Sequence, residues 1–208
     1  MFDSTTLSMF LVTAIVLIII PGPDLIFTIT QGMSNGRKAA LATALGLSFG
    51  NIVHTLAAAF GLSLIVQTSV VVFTIFKTAG ALYLFYLAYG AFTHRRDAMN
   101  MESQTKSNAK ALFFRGLLMN ILNPKVAIFF LTFLPQFINY EDENVPAQMM
   151  ILGFIFIVLT AIIFGLLGYF AGFFRDRFLA KSQFNMYMNV TAAVIFVLLG
   201  IKLLTTSM

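Results

Sequence analysis

Pro21-Gly22-Pro23-Asp24, residues 21–24, interrupts the first long apolar run of the chain and decides how its first helix is built. Proline has no amide proton, so the two prolines cannot donate to the carbonyls of Leu17 and Ile19, and a helix must kink or open here. Inside a membrane the freed carbonyls must face protein or a wet cavity, because lipid offers them no hydrogen bond. A carboxylate at that depth costs about 2.5–3.5 kcal/mol on insertion scales, so Asp24 is a candidate functional residue.

The composition is that of an integral membrane protein. Of the 208 residues, 59% are hydrophobic and 10% are charged, whereas an ordinary soluble domain carries about 25% charged residues. Several apolar stretches exceed the roughly 20 residues that a helix needs to cross the hydrocarbon core of a bilayer. The chain has no cysteine, which excludes disulfides and thiolate metal sites. We therefore expect an all-α protein that crosses the lipid bilayer several times.

Hydropathy and loop composition predict six spans, at residues 7–31, 39–66, 70–92, 111–138, 147–174 and 185–204. The basic residues divide between the loops in a regular way. Ten of the thirteen fall in loops that alternating spans place on one side: Arg37, Lys38, Arg95, Arg96, Lys106, Lys110, Arg115, Arg175, Arg177 and Lys181. The positive-inside rule makes that side cytoplasmic, which puts both termini outside. This distribution explains the net charge of +5 without a nucleic-acid partner.

The six predicted spans form two related halves. The polar segment 97–110 predicts a cytoplasmic linker between a first three-helix repeat, residues 1–96, and a second, residues 111–208. Pro124 falls near the middle of the first span of its half, as Pro23 does in the other half. Because each half has an odd number of spans, the second must lie upside down relative to the first. The sequence thus predicts two inverted repeats in which helices 1 and 4 are broken at proline.

Asn123-Pro124-Lys125 is the counterpart of the first break. Pro124 cannot donate to the carbonyl of Asn120, the side chain of Asn123 can satisfy exposed backbone, and Lys125 brings a cation to a depth similar to that of Asp24. In one interpretation both sites are packing kinks, and the two charges simply pair. Two lone charges would cost on the order of 5–7 kcal/mol, and a pair about 4 Å apart recovers roughly 4 kcal/mol at an effective dielectric constant of 20. Pairing therefore offsets much of the cost without making it a gain.

The other interpretation is a site for a ligand that carries both signs of charge. A zwitterionic amino acid fits, with its carboxylate facing Lys125 and its ammonium facing Asp24 and the opened carbonyls. Protonation of Asp24 would cancel its attraction for an ammonium group, so the proton is the expected coupling ion, with membrane potential as the alternative driving force. The predicted substrate-binding residues are Pro21, Gly22, Pro23, Asp24, Asn123, Pro124 and Lys125.

The second predicted span carries Gly46, Gly50 and His54 at intervals of four, on one helical face. Such a stripe serves close helix packing within the chain, a homodimer contact or a binding site. His54 is either a proton carrier or a satisfied interior residue. Four residues are candidates for a cavity or proton path, although the tyrosines also fit a packing role: Asn51, His54, Tyr83 and Tyr86. The sequence shows no phosphate-binding loop, metal-ligand cluster or nucleophile with its base, so no enzyme activity, catalytic residue, metal or cofactor is expected.

With these residues identified, the chain resembles the lysine exporter superfamily, and more closely its homoserine/threonine efflux branch. The resemblance runs essentially end to end, and Ala88 departs from it where glycine is common. It implies a bacterial inner-membrane exporter of amino acids or related metabolites, driven by an ion gradient. Divalent-metal efflux is an alternative within the superfamily, which the scarcity of His, Asp and Glu in the spans disfavours. The matching features are Pro21-Gly22-Pro23, Gly36-Arg37, Gly46 and Gly50 ahead of His54, Tyr83-Leu84-Phe85-Tyr86-Leu87, and Asn123-Pro124-Lys125 leading to Leu134-Pro135-Gln136-Phe137.

Overall fold

A computed structural model describes residues 2–62, 70–93, 95, 108–140, 142, 144–174 and 182–205. These residues form eight α-helices and contain no strand, so the predicted all-α class is confirmed. The helices are α1 (Ser4–Ile19), α2 (Pro23–Asn35), α3 (Arg37–Leu56), α4 (Val70–Thr93), α5 (Ala109–Ile121), α6 (Pro124–Ile128), α7 (Val145–Phe174) and α8 (Ser182–Thr205). A π-helical turn (Ala57–Leu62) continues α3, and a π-helical turn (Phe129–Phe133) followed by a 3-10 turn (Leu134–Phe137) continues α6.

Length and apolar composition make two segments of the described chain candidate membrane spans, Arg37–Gly61 and Val145–Ala171. Two more candidates are bent: α1 with α2, and α5 with α6 and its continuation, pass the same test together. The bends are 59° in the first pair and 49° in the second. The two remaining predicted spans overlap α4 and α8. The described residues thus supply two to four candidate spans, and the six-span topology stays a prediction.

Some predicted features lie outside the described residues. They include the turn at residues 67–69, residues 97–107 of the predicted linker, and the basic residues Arg175, Arg177 and Lys181. The last three residues of that linker belong to the start of α5. Asn108 is the N-cap, and its side chain accepts a hydrogen bond of 2.7 Å from the Ala111 amide.

The two helix breaks occur at the prolines where the sequence predicts them, and they are built alike. α1 ends at Ile19, and α2 begins with Pro23 as its first residue. α5 ends at Ile121, and α6 begins with Pro124 as its first residue. Proline suits the first position of a helix, because the amide it lacks would have no intrahelical partner there. The residue after each proline, Asp24 or Lys125, therefore lies in the first turn of a new helix.

Glycines let α3 lie against α5 at the centre of the packing. α3 also packs along α7, while α4 and α8 pack mainly against each other. A Cβ at Gly46 would overlap the carbonyl oxygen of Phe113, and a Cβ at Gly116 would lie 2.8 Å from the Thr43 carbonyl oxygen. Close helix packing thus explains Gly46, whereas a Cβ at Gly61, farther along, would meet nothing within 4 Å among the residues that the structure describes.

A single glycine turns the chain between α2 and α3. Gly36 has a φ of +83°, in the left-handed region that favours glycine. The next residue, Arg37, stacks over the Tyr169 ring at 4.4 Å and donates a hydrogen bond of 3.1 Å to its hydroxyl. The start of α3 is thereby fastened to the last third of α7.

Candidate functional site

The Asp24 carboxylate is buried in the first turn of α2, with 1% of the residue exposed. Its Oδ2 accepts a hydrogen bond of 3.0 Å from the Asn120 side-chain amide. The N-terminal end of a helix carries partial positive charge, which further stabilises a carboxylate there. The other oxygen, Oδ1, has no hydrogen-bond partner among the described residues. Asp24 is thus held in place by one oxygen and presents the other.

The Lys125 ammonium reaches back across the break in the first helix. Its Nζ donates to the carbonyl oxygens of Leu17 and Ile20, both at 3.2 Å. The Leu17 carbonyl is one of those that the prolines deprive of a donor, and both carbonyls lie at the negative C-terminal end of α1. The structure therefore differs from the packing interpretation, in which the two charges pair, because Lys125 bonds to the opened backbone.

His54 provides a hydrogen-bond donor at the second break, as Lys125 does at the first. Its Nε2 lies 3.0 Å from the carbonyl oxygen of Asn120, the group that Pro124 leaves without a donor. A carbonyl only accepts, so Nε2 carries the proton. The ring stacks on Phe130 with a centroid distance of 5.8 Å. Each proline break is thus satisfied by a side chain from the other half of the chain.

The charged residues from the two breaks line one small cavity. Asp24, Lys125 and Asn120 line it together with Asn51 of α3 and Thr160 of α7. About 10 Å³ is open to the centre of a water molecule, which is room for roughly one water. The remaining wall is apolar and consists of Leu17, Ile18, Val126, Phe156 and Phe164. The space between the breaks is far too small for an amino acid, so a substrate chamber there stays a prediction.

The buried polar atoms of the site present unused hydrogen-bond acceptors. The Asn51 amide nitrogen lies 3.4 Å from the Thr160 hydroxyl, which itself donates to the Phe156 carbonyl. The Asn51 oxygen, the Asp24 Oδ1 and the Asn120 oxygen have no hydrogen-bond partner in the part of the chain that the structure describes. The fourth unpartnered atom is the amide nitrogen of Asn123. Because unpartnered buried groups cost free energy, three such acceptors on residues that line the cavity favour a ligand that donates hydrogen bonds.

Of the other predicted residues, some shape or cap the helix breaks beside this cavity, and the two tyrosines lie away from it. Asn123 caps α6, where its side-chain oxygen accepts from the Lys125 amide at 3.0 Å. Gly22 lies against Lys125, and Pro21, Pro23 and Pro124 shape the breaks. The structure does not bring Tyr83 or Tyr86 to the cavity. Their rings contact each other at 5.9 Å on α4, and Tyr86 is 67% exposed.

Among the polar residues that line the site, two were not predicted from the sequence, Asn120 and Thr160. From the sequence, only the backbone carbonyl of Asn120 was considered. In the structure its side chain also donates a hydrogen bond to Asp24, while its carbonyl accepts one from His54. A signal was available, because an asparagine four residues before Pro124 is a polar group inside an apolar helix. Thr160 gives no such signal, since threonines inside spans commonly donate to a carbonyl of their own helix.

Comparison with known proteins places the chain among membrane transporters. The family described as LysE type translocator matches residues 15–207. The uncharacterized membrane protein YrhP of Bacillus subtilis (strain 168) is 34% identical over 198 residues, which cover 91% of this chain and 93% of the relative. The leucine efflux protein of Salmonella choleraesuis (strain SC-B67) is 29% identical over 147 residues, covering 69% and 68%. No solved structure matches.

Proposed function

Because the chain belongs to the family of LysE type translocators, we propose that it exports amino acids or related small zwitterionic metabolites. The transport is secondary-active, across the inner membrane of a bacterium. The name of the leucine efflux relative supports export of this solute class, and the family supports small-solute transport in general. The substrate site is the cavity between the two helix breaks, where Asp24 and Lys125 supply opposite charges.

One observation carries this proposal: the cavity gathers a carboxylate and further acceptors at the ends of two broken helices. The Asp24 Oδ1, the Asn51 oxygen and the Asn120 oxygen are buried without partners among the described residues. An ammonium group carries three donors and a positive charge, which suits a site whose unpartnered acceptors include a carboxylate oxygen. Lys125 is the cation that would bind the carboxylate of a zwitterionic substrate. Broken helices near mid-membrane are where secondary transporters bind their substrates.

The transport cycle proposed here uses the two halves as moving parts. Six spans in two inverted repeats, with residues 97–110 as a cytoplasmic linker and both termini outside, would place the breaks at the same depth. The closed cavity must then open to one side at a time. The contacts of Lys125 with α1 and of His54 with α5 join the two halves. A proton that binds Asp24 would weaken the hold on the substrate ammonium and couple release to proton entry.

Counterflow in proteoliposomes tests the proposed function directly. The purified full chain is reconstituted with an unlabelled amino acid inside, and uptake of the same labelled amino acid is followed across a panel of the common amino acids. We expect transient accumulation of at least one of them above protein-free liposomes, because exchange requires only a site that opens to both sides. Counterflow needs no driving ion, so the result does not depend on the coupling mechanism. A chain that exchanges no member of the panel would refute amino-acid export.

Divalent-metal efflux is the alternative that the resemblance leaves open, but the site has few side chains that could bind a metal ion. Hard cations need several oxygen ligands, and transition metals prefer imidazole or thiolate. In the part of the chain that the structure describes, no group of three or more His, Cys, Asp or Glu side chains could hold a metal ion. Metal uptake into the same liposomes distinguishes the two substrates.

His54 should tolerate glutamine and not phenylalanine, because its role in this structure is to donate to the Asn120 carbonyl. His54→Gln keeps an amide donor and should retain counterflow. His54→Phe leaves the carbonyl unpaired and should destabilise the protein by about 1–3 kcal/mol. Counterflow rates and melting temperatures of both variants provide the measurement. If instead His54 carries a proton, transport driven by a pH gradient should disappear in His54→Gln while counterflow remains.

A further inference from the structure

The Lys125 ammonium occupies a place in the site that charge neutralisation does not explain. Its Nζ lies 3.2 Å from both the Leu17 and the Ile20 carbonyl oxygens, although the Asp24 carboxylate lines the same cavity. A lysine whose only task was to neutralise Asp24 would pair with that carboxylate. Two carbonyls at the C-terminal end of a helix bind any primary ammonium group, because they offer acceptors and partial negative charge.

Building on the proposed function, we propose that Lys125 holds the place of the substrate's own ammonium group while the site is closed. Substrate binding is then an exchange of one ammonium for another. The substrate carboxylate draws the Lys125 ammonium away from α1. The substrate ammonium takes over the carbonyls of Leu17 and Ile20, beside Asp24.

Gly22 leaves room for the Lys125 ammonium at its place against α1. A Cβ on Gly22 would lie 3.2 Å from the Lys125 Nζ and 3.6 Å from its Cε. The backbone at Gly22 is extended, with a φ of −164°, so the chain conformation does not require glycine there. What the missing side chain supplies is room beside the lysine. Lysine itself has a flexible four-carbon stem that can move its charge over several ångströms.

The exchange makes both charges of the substrate necessary. Withdrawing Lys125 alone would leave two buried carbonyls without a donor, which is costly inside a membrane. An amine without a carboxylate has nothing with which to draw Lys125 away. A carboxylate without an amine cannot replace the donor that the carbonyls lose. The substrate class is therefore molecules with neighbouring amino and carboxyl groups, selected against simple amines and simple acids alike.

The test compares leucine with its two single-charge analogues, isoamylamine and isocaproate, as inhibitors of leucine counterflow. Leucine is the first probe, and if another amino acid exchanges faster, it and its own analogues replace these three. In the parent protein leucine should inhibit at least about tenfold more strongly than either analogue. In Lys125→Met the carbonyls are open to any ammonium, so isoamylamine should bind at least about tenfold more tightly than in the parent. Isocaproate should gain nothing.

Because counterflow itself is expected to fall in Lys125→Met, amine binding is measured separately as the rise in melting temperature of the purified variant with isoamylamine. Lys77→Met is the matched control, since Lys77 also meets a helix-end carbonyl, that of Leu204 at 3.4 Å, but outside the site. It should bind isoamylamine as the parent does. Unchanged isoamylamine binding in a folded Lys125→Met would overturn the exchange, while counterflow in the parent would still support the proposed function. If the parent exchanges no amino acid, both proposals fail.

A second variant keeps the lysine and so avoids unpaired carbonyls. Gly22→Ala crowds the Lys125 ammonium without removing any group, and should weaken its hold on α1. We expect tighter isoamylamine binding by about threefold, in the same direction as Lys125→Met. Gly61→Ala is its control, because a Cβ there meets no described residue within 4 Å. Gly22→Ala decides the matter alone if Lys125→Met does not fold, and binding equal to that of Gly61→Ala would then overturn the exchange.

Discussion

Asp24→Asn should abolish proton-driven export and slow counterflow by about 10- to 150-fold, while the protein folds at least as well as the parent. The rate follows from the loss of a charge-assisted hydrogen bond to the substrate ammonium, which is worth about 1.5–3 kcal/mol. An asparagine cannot bind a proton near neutral pH, so coupling through this position is lost outright. Stability should hold or rise, because a buried carboxylate costs about 2.5–3.5 kcal/mol inside a membrane.

The opposite signs of these two effects make the experiment decisive. A structural role for Asp24 would lower stability and activity together, whereas a binding role lowers activity alone. Asp3→Asn is the matched control, because Asp3 is the N-cap of α1 and asparagine caps a helix equally well. Both melting temperature and counterflow should be unchanged there. Normal counterflow and normal pH-driven export by a folded Asp24→Asn would show that Asp24 neither binds the substrate nor couples its transport to protons.

The helix breaks were predictable because proline chemistry is local. A residue without an amide proton deprives a definite carbonyl of its donor, whatever the rest of the fold does. Pro21 therefore implied an unpaired Leu17 carbonyl, and Pro124 an unpaired Asn120 carbonyl. The structure meets each with a side chain, Lys125 for the first and His54 for the second. The unpaired carbonyls could be derived from the sequence. The side chains that donate to them could not, because they come from distant parts of the chain.

The sequence could not predict whether a given helix face lies toward the cavity or away from it. Tyr83 and Tyr86 share a face by their spacing, but an apolar helix with polar residues on no single side gives no direction for that face. In the structure they lie away from the Asp24 cavity. Asn51 and His54, by contrast, lie on α3 near a glycine face that must meet another helix, so their burial follows from their neighbours.

The size of the cavity was also unpredictable, because it depends on packing between all the surrounding side chains. Phe156 and Phe164 of α7 and Ile18 of α1 fill the space that the two breaks would otherwise leave open. The space left by side chains where six helices meet is set by the relative positions of those helices, which no local pattern encodes. For a transporter the consequence is functional. If the chain carries amino acids through this cavity as proposed, the aromatic wall of α7 has to move, as well as the broken helices, before one can enter.

Gly46→Ala should be the most destabilising single-methyl change in the central helix pair. A Cβ at Gly46 would overlap the carbonyl oxygen of Phe113, and backbone cannot move aside as a flexible side chain can. Overpacking typically costs about 1–3 kcal/mol and occasionally more, and we expect the upper end here. For a chain of this size that cost lowers the melting temperature by roughly 6–12 °C. The measurement is thermal unfolding of the purified protein in detergent.

The same substitution at Gly165 is the control, because a Cβ there would lie 3.7 Å from the Leu41 side chain, an ordinary contact. Alanine is a better helix former than glycine, so Gly165→Ala should be neutral or stabilising by up to about 1 kcal/mol. α3 carries both the glycine face and His54, so a displaced α3 in Gly46→Ala should also pull His54 from the Asn120 carbonyl and slow counterflow. Equal melting temperatures for the two variants would mean that α3 and α5 do not approach as closely in the membrane as described here.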